Sequence, residues 1–290
     1  MQKGFVFDVN KCTGCSACRI ACMIENDLDT GLIWRDIGTF NPSHFPGVPV
    51  FHHSLACNHC VDAPCLNSCP ANAYKKDPVT GAVTLDGTAC IGCKYCAWAC
   101  PFDAPKLNPA TGVMEQCTFC NDRVRDGLEP ACVSLCPTGA LSLGDIAPAA
   151  KRHETGFPKT DVITAIEFVS LEPGRRVPEM LGAETEIFRN SITQRTEAAP
   201  GTKISLRSEW VLVVFSQILA WLTGYVAAVL IGNLDAFPVS FGLLGLVGLV
   251  VSGFHLGKKT RAARAVLNWR RSWLSREIIL SALFVVMGWL

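Results

Sequence analysis

Hydrophobicity along the sequence changes character near residue 207. Before it, apolar residues come in short bursts set between Gly, Pro, Asn and Asp, a pattern of brief strands and turns. Phe5, Val6 and Phe7 read as an N-terminal strand, and RIACMIEND after Cys18 has helical character. DPVTGAVTLDGTAC reads as two short strands around the turn Thr80-Gly81, and NPATGVMEQC after Pro101 is a weaker echo of it. LSLGD, after Pro137-Thr138-Gly139-Ala140, is one more apolar strand. Residues 28–56 form an aromatic-rich insertion with Trp34, Phe40, Phe45 and Phe51. Residues 151–206 read as a wrapping tail, with one strand over VITAIEFVSL, followed by a linker from Asn190 to Ser205.

Beyond it, the apolar residues become continuous. Trp210–Gly232 and Ala236–Leu256 carry no formal charge. Each run is as long as the ~20 residues that cross a ~30 Å hydrocarbon core, so two membrane helices joined by the short tie NLDAF are expected. A third apolar run begins at about Ile278 and reaches Leu290, which at ~1.5 Å per residue is too short to span, so the natural chain is expected to continue. The N-terminus, MQKGFVFDVNKC, is too short and polar for a secretory hydrophobic region.

The net charge of +1 gives no electrostatic case for nucleic acid. What changes the picture is 16 cysteines. They fall into four quartets: Cys12, Cys15, Cys18, Cys22; Cys57, Cys60, Cys65, Cys69; Cys90, Cys93, Cys96, Cys100; and Cys117, Cys120, Cys132, Cys136. C-x2-C pairs repeated four times are a metal-ligand pattern, because thiolates two residues apart converge on one ion or cluster. The last three quartets close on three residues, a cysteine and a proline, the ending of the two-cluster ferredoxin run; in the first, Met23 replaces the proline. Zinc does not require that ending, so [4Fe–4S] clusters are favoured over zinc and over disulfides. In such runs the fourth cysteine reaches a neighbouring cluster rather than its own. The fourth quartet is stretched by NDRVRDGLEPA, a charged insertion that should face solvent or a partner.

His44, His52, His53 and His59 lie in or just after the aromatic insertion. Histidine ligates Rieske clusters in place of cysteine, but no cysteine is missing here. They read as surface or cluster-shielding residues, with His59 placed to tune a potential through a hydrogen bond. No GxGxxG loop lies between a strand and a helix, and nothing else resembles a substrate-transforming site.

The four quartets, the C-x2-C-x11-C-x3-C-P spacing and the membrane helices together resemble a known family. Residues 1–150 are similar to the four-cluster electron-transfer subunit of dimethyl sulfoxide reductase and of the related polysulfide and tetrathionate reductases. From about Glu209 the sequence resembles the start of the membrane anchor subunit of the same enzymes. That likeness is carried by the EW before the first helix, FHLG at 254–257, RAARAVLN at 261–268 and SWLSREI at 272–278. Lys258-Lys259 departs from it, since a proline often follows that HLG.

The resemblance implies an α+β fold of tandem ferredoxin-like units, each with two [4Fe–4S] clusters, over residues 1–150, and a membrane-anchor segment over 207–290. It implies a nested ligand exchange: Cys12, Cys15 and Cys18 with Cys136; Cys117, Cys120 and Cys132 with Cys22; Cys57, Cys60 and Cys65 with Cys100; Cys90, Cys93 and Cys96 with Cys69. It further implies relay of electrons between a membrane quinol (menaquinol or ubiquinol) and a molybdopterin catalytic subunit, in the plasma membrane of a prokaryote. His255, and more weakly Glu277, would be the quinol-site residues. A formate dehydrogenase or hydrogenase-type subunit passing electrons to quinone is the same-class alternative, and a zinc-bound membrane scaffold the alternative of a different class. Lys258, Lys259, Arg261, Arg264, Arg270, Arg271 and Arg276 precede the third apolar run without an acid until Glu277, so the positive-inside rule places that loop, and with it the cysteine-rich domain, on the cytoplasmic face. Many relatives sit instead on the outer face.

Overall fold

The computed structural model describes residues 2–43, 49–147, 157–158, 160–172, 206–232 and 238–289. The linker expected from Asn190, the tie NLDAF, and His44 and Phe45 lie outside them.

The cysteine-rich domain is α+β, with short helices of four to nine residues packed beside small sheets. Strand β1 (Gln2–Asp8) is central in a three-stranded sheet, flanked by β8 (Leu141–Ile146) antiparallel and β9 (Ile166–Val169) parallel. The first strand, the strand after the last quartet and the strand expected in the tail therefore close one sheet. Its buried Phe5, Phe7 and Val9 join Phe119, Leu141 and Ile166 in the first of two apolar cores. The two turn-centred segments form hairpins, β4–β5 (Tyr74–Lys76 with Val83–Leu85) and β6–β7 (Lys106–Asn108 with Val113–Glu115).

The aromatic insertion also holds a hairpin, β2 (Asp36–Phe40) with β3 (Phe51–Leu55), which its aromatic content alone did not announce. Phe40 and Phe51 face each other across the ladder with ring centroids 4.4 Å apart, a cross-strand aromatic pair that stabilises the register.

Helices α1 (Ala17–Glu25) and α5 (Ala131–Ser134) pack together, as do α2 (Pro64–Ser68) and α3 (Tyr95–Ala99). The first quartet is thus brought beside the fourth, and the second beside the third. The insertion of the fourth quartet carries α4 (Asn121–Arg125), with no buried residue on it.

In the anchor segment α6 spans Leu206–Leu230, α7 Pro238–Ser252 and α8 Trp273–Trp289. Glu209–Leu230 and Pro238–His255 are long and apolar enough to cross a membrane. The third helix begins at Trp273, five residues before Ile278. Gly242, Gly245 and Gly248 line one side of α7. A Cβ at Gly245 would come within 2.6 Å of Val285, and one at Gly248 within 3.0 Å of Ile218, so the stripe lets α6 and α8 close onto α7.

The loop between α7 and α8 does not hang free. Leu256, Ala265 and Ile278 join the second apolar core, with Ala63, Ala71, Tyr74, Ile91 and Met114 of the cysteine-rich domain. Anchor and cysteine-rich domain share that core.

Candidate metal centres

Each quartet begins on a loop whose backbone turns through the left-handed region. Gly14 and Ser16, His59, Gly92 and Lys94, and Phe119 and Cys120 all have positive φ. Turns of this kind can aim neighbouring amide N–H groups at an anion. The amides of Gly92 and Met114 both donate to Cys90 Sγ at 3.4 Å, that of Phe119 to Cys117 Sγ at 3.4 Å, and that of Ala73 to Cys69 Sγ at 3.4 Å. Two glycines are needed for space as well. A Cβ at Gly14 would lie 2.7 Å from the His52 ring, and one at Gly92 would lie 2.3 Å from the Gly112 carbonyl oxygen.

Burial pushes the Cys22, Cys60, Cys65 and Cys93 thiols up to about 12, and raises Cys57 and Cys96 well above their ordinary value. Neighbouring thiolates add to this. Cys12 feels Cys18, Cys136 and Cys15; Cys22 feels Cys132 and Cys120; Cys60 and Cys65 feel Cys100; Cys93 feels Cys69 and Cys90. Cys136 thus lies near the first quartet, Cys22 near the fourth, Cys100 near the second and Cys69 near the third. Cys136 behaves differently: burial opposes it, but the amides of Leu141, Thr138 and Ala140 and the Thr138 hydroxyl hold its thiol below the ordinary value.

A set of buried thiols in amide-lined loops calls for a cationic group to neutralise it. Among the described residues, no three His, Cys, Asp or Glu side chains converge on a single metal ion. A tetrahedral zinc needs sulfurs about 2.3 Å from one point. Buried thiols contributed by two quartets and met by backbone amides fit thiolate-bound iron–sulfur clusters.

The sets follow one another. Cys96 is near Cys65 as well as Cys93 and Cys69; Cys57 is near Cys117; Cys22 is near Cys18. At one end Cys15 is exposed and Cys12 and Cys136 are half-buried, beside the exposed apolar side chains of Ile20 and Leu135. At the other end, Cys69 and Cys90–Cys96 meet the anchor. Gly257 N–H donates to the Gly92 carbonyl at 3.3 Å and Lys258 N–H to the Ile91 carbonyl at 3.0 Å. The second bond is one that a proline at 258 would forfeit, which accounts for the departure from HLG-Pro. Arg261 Nη1 donates to the carbonyls of Gly87 (2.7 Å) and Cys90 (3.0 Å), and Asn268 Nδ2 to that of Cys69 (2.9 Å).

His255 stands in this junction, on a 3-10 turn after α7, and its Nδ1 bonds the Ser252 carbonyl. Glu277 lies on α8 and acts on Tyr95, whose hydroxyl is raised first by burial, then by Glu277 and Cys93. The junction also holds Glu209, 5 % exposed, whose carboxylate pairs at 3.0 Å with Lys94 between two cluster-loop cysteines. In the sequence Glu209 was legible only as part of the resemblance; its partner lies more than a hundred positions away, so no local pattern marked it.

Of the insertion histidines, His53 and His59 are each 1 % exposed. His59 Nδ1 accepts the Val83 N–H at 3.0 Å, which leaves the proton on Nε2 and the ring neutral. Burial first, then Arg35 and Lys76, lower its pKa to about 3. His52 is half-buried and bonds Thr39 Oγ1 at 3.0 Å.

Residues 48–146 match the 4Fe-4S dicluster domain family, and residues 208–290 match the DMSO reductase anchor subunit (DmsC) family. The B subunit of the anaerobic dimethyl sulfoxide reductase of Escherichia coli (strain K12) is 39 % identical over 160 residues, 52 % of the present sequence and 78 % of that protein. The thiosulfate reductase electron transfer subunit PhsB of Salmonella typhi is 43 % identical over 151 residues, covering 49 % and 76 %. The B subunit of the polysulfide reductase of Wolinella succinogenes is 34 % identical over 189 residues, covering 64 % and 92 %.

Proposed function

The protein belongs to the family of iron–sulfur electron-transfer subunits that includes the B subunit of dimethyl sulfoxide reductase, here continuous with an anchor domain, and on that premise we propose that it relays electrons through four [4Fe–4S] clusters from a membrane quinol to a molybdopterin catalytic subunit. The observation that carries the reading is the junction: Gly257 and Lys258 of the anchor bond directly to Ile91 and Gly92 of the third cysteine loop. Clusters held by these cysteines would supply one-electron transfer without large atomic movement.

The protein's own residues supply the rest. The nested sets run Cys90, Cys93, Cys96 and Cys69 at the anchor; then Cys57, Cys60, Cys65 and Cys100; then Cys117, Cys120, Cys132 and Cys22; and last Cys12, Cys15, Cys18 and Cys136. The exposed Cys15 end, with Ile20 and Leu135 beside it, is where the catalytic subunit docks. At the junction a quinol must lose protons as well as electrons. The Nδ1–H of His255 is committed to the Ser252 carbonyl, so Nε2 is the free lone pair that takes a hydroxyl proton. The Lys94–Glu209 pair holds the start of α6 against the cluster loop, and Glu277 supplies a second carboxylate on the Tyr95 side.

The test is anaerobic addition of a quinol to the oxidised full-length protein in detergent. Reduced-cluster paramagnetic resonance signals support the reading; clusters that respond to dithionite but never to quinol reject it.

For sidedness we place the cysteine-rich domain on the cytoplasmic face. Docking onto that domain's carbonyls accounts for Arg261, and Arg276 bonds the Trp269 and Arg270 carbonyls within the loop. Lys258, Lys259, Arg264, Arg270 and Arg271 remain as the positive-inside excess. In sealed spheroplasts, protease added outside should leave the domain intact; its digestion would place it on the outer face.

A further inference from the structure

Arg35 is 1 % exposed, yet it is a permanent cation, and among the described residues no carboxylate pairs with it. Its Nη1 donates to the Ser54 carbonyl and hydroxyl, both at 3.1 Å, while Nε and Nη2 are buried without a partner. A cation buried this way is strongly disfavoured unless an anion offsets it, and two neutral oxygens on one nitrogen do not.

Its surroundings indicate what the anion is. On one side Ser54 Oγ, which accepts from Arg35, lies 3.2 Å from Cys18 Sγ. On the other the guanidinium lies 4.5 Å over the Phe5 ring; Phe5 packs edge-on to Phe119 at 5.0 Å, and the Phe119 amide donates to Cys117 Sγ. The guanidinium is thus bracketed by the first and fourth quartets. Burial disfavours its charge, but Cys132, Cys117, Cys18 and Cys22 outweigh burial and hold its pKa above the ordinary arginine value. The histidines cannot share this role, because His53 and His59 are buried neutral.

We propose that Arg35 is a redox-positioning residue: a fixed buried cation between the sets Cys12, Cys15, Cys18, Cys136 and Cys117, Cys120, Cys132, Cys22 that raises the reduction potentials of those two clusters over the two nearer the membrane. The inference rests on the proposed ligation. Reduction adds one electron, taken from the external reductant, and makes the thiolate-bound cluster more negative. A fixed positive charge at short range in a low dielectric favours that product. Electrons arriving from the membrane end are then drawn toward the exposed Cys15 end. Ser54 and Phe5 position the guanidinium and leave the Nε and Nη2 protons for the anions.

The experiment is a redox titration followed by electron paramagnetic resonance on anaerobically purified full-length protein, with iron analysis, for the wild type, Arg35→Gln and Arg35→Lys. With iron retained, Arg35→Gln should lower two midpoints by at least a tenfold loss in electron affinity, about 59 mV for a one-electron couple, and leave the other two in place. Arg35→Lys, which keeps the charge, should stay near wild type. If Arg35→Gln loses iron from those two sites, full iron and unshifted potentials in Arg35→Lys support the charge role. Unmoved midpoints in iron-replete Arg35→Gln, an equal shift of all four, or Arg35→Lys behaving like Arg35→Gln would overturn it. A wild type lacking cluster iron would instead remove the ligation itself.

Discussion

His53 shows what burial does to one titratable side chain. It is enclosed by Phe7, Phe40, Phe51 and Phe168, with ring centroids 4.9 to 6.2 Å away, and neither ring nitrogen has a partner. Burial lowers its pKa to about 4. The unfolded protein takes up this proton near pH ~6.5 and the folded protein only near 4. The stabilisation is therefore fully present above about 6.5 and is lost as pH falls toward 4, on the order of 3 kcal/mol in total. His53→Phe should flatten the fall in melting temperature between those pH values relative to wild type. An unchanged acid slope would show that His53 does not titrate in this way. Neither its burial nor that of Arg35 was legible in the sequence. The histidines read as surface or cluster-shielding residues and nothing in IWRD singled out Arg35; both are enclosed only as β2, β3 and β1 close around them.

At the scale of elements, what could be read from sequence was what sequence spacing encodes locally. The quartets, the hairpins at Thr80-Gly81 and after Asn108, and the strand at Leu141 each carry their signal within about twenty residues. The β2–β3 hairpin was missed because its strands are separated by a segment longer than a tight turn and alternate polar with aromatic residues only weakly. Pairings between distant helices carry no local signal at all; α1 with α5 is the example with a chemical consequence. It sets Cys22 beside Cys132 and Cys120. Cys22→Ser and Cys132→Ser should therefore perturb the same paramagnetic signal, and Cys18→Ser a different one. If Cys22→Ser matches Cys18→Ser instead, the nested exchange is wrong.

Across the whole molecule, the junction joins a series of redox centres to a membrane segment through backbone contact. Gly257 is its tightest point, since a Cβ there would lie 2.1 Å from the Gly112 carbonyl oxygen. The Gly257 loop cannot retreat without breaking the Gly257–Gly92 and Lys258–Ile91 bonds. Gly257→Val should leave the proposed clusters reducible by dithionite while making the junction accessible to limited proteolysis after Leu256. A protease pattern identical to wild type would mean the two parts are held together elsewhere.

In the proposed relay, electrons enter at this junction while an acceptor on the anchor takes the quinol's proton. The measurement is the rate at which a quinol reduces the clusters of the full-length protein in rapid mixing, for wild type and His255→Arg, with dithionite as the control. Loss of a positioned general base costs roughly 10²–10⁴ in rate. The account predicts that quinol reduction slows by at least about a hundredfold in His255→Arg while the dithionite rate is unchanged. Quinol reduction at the wild-type rate in His255→Arg would contradict it.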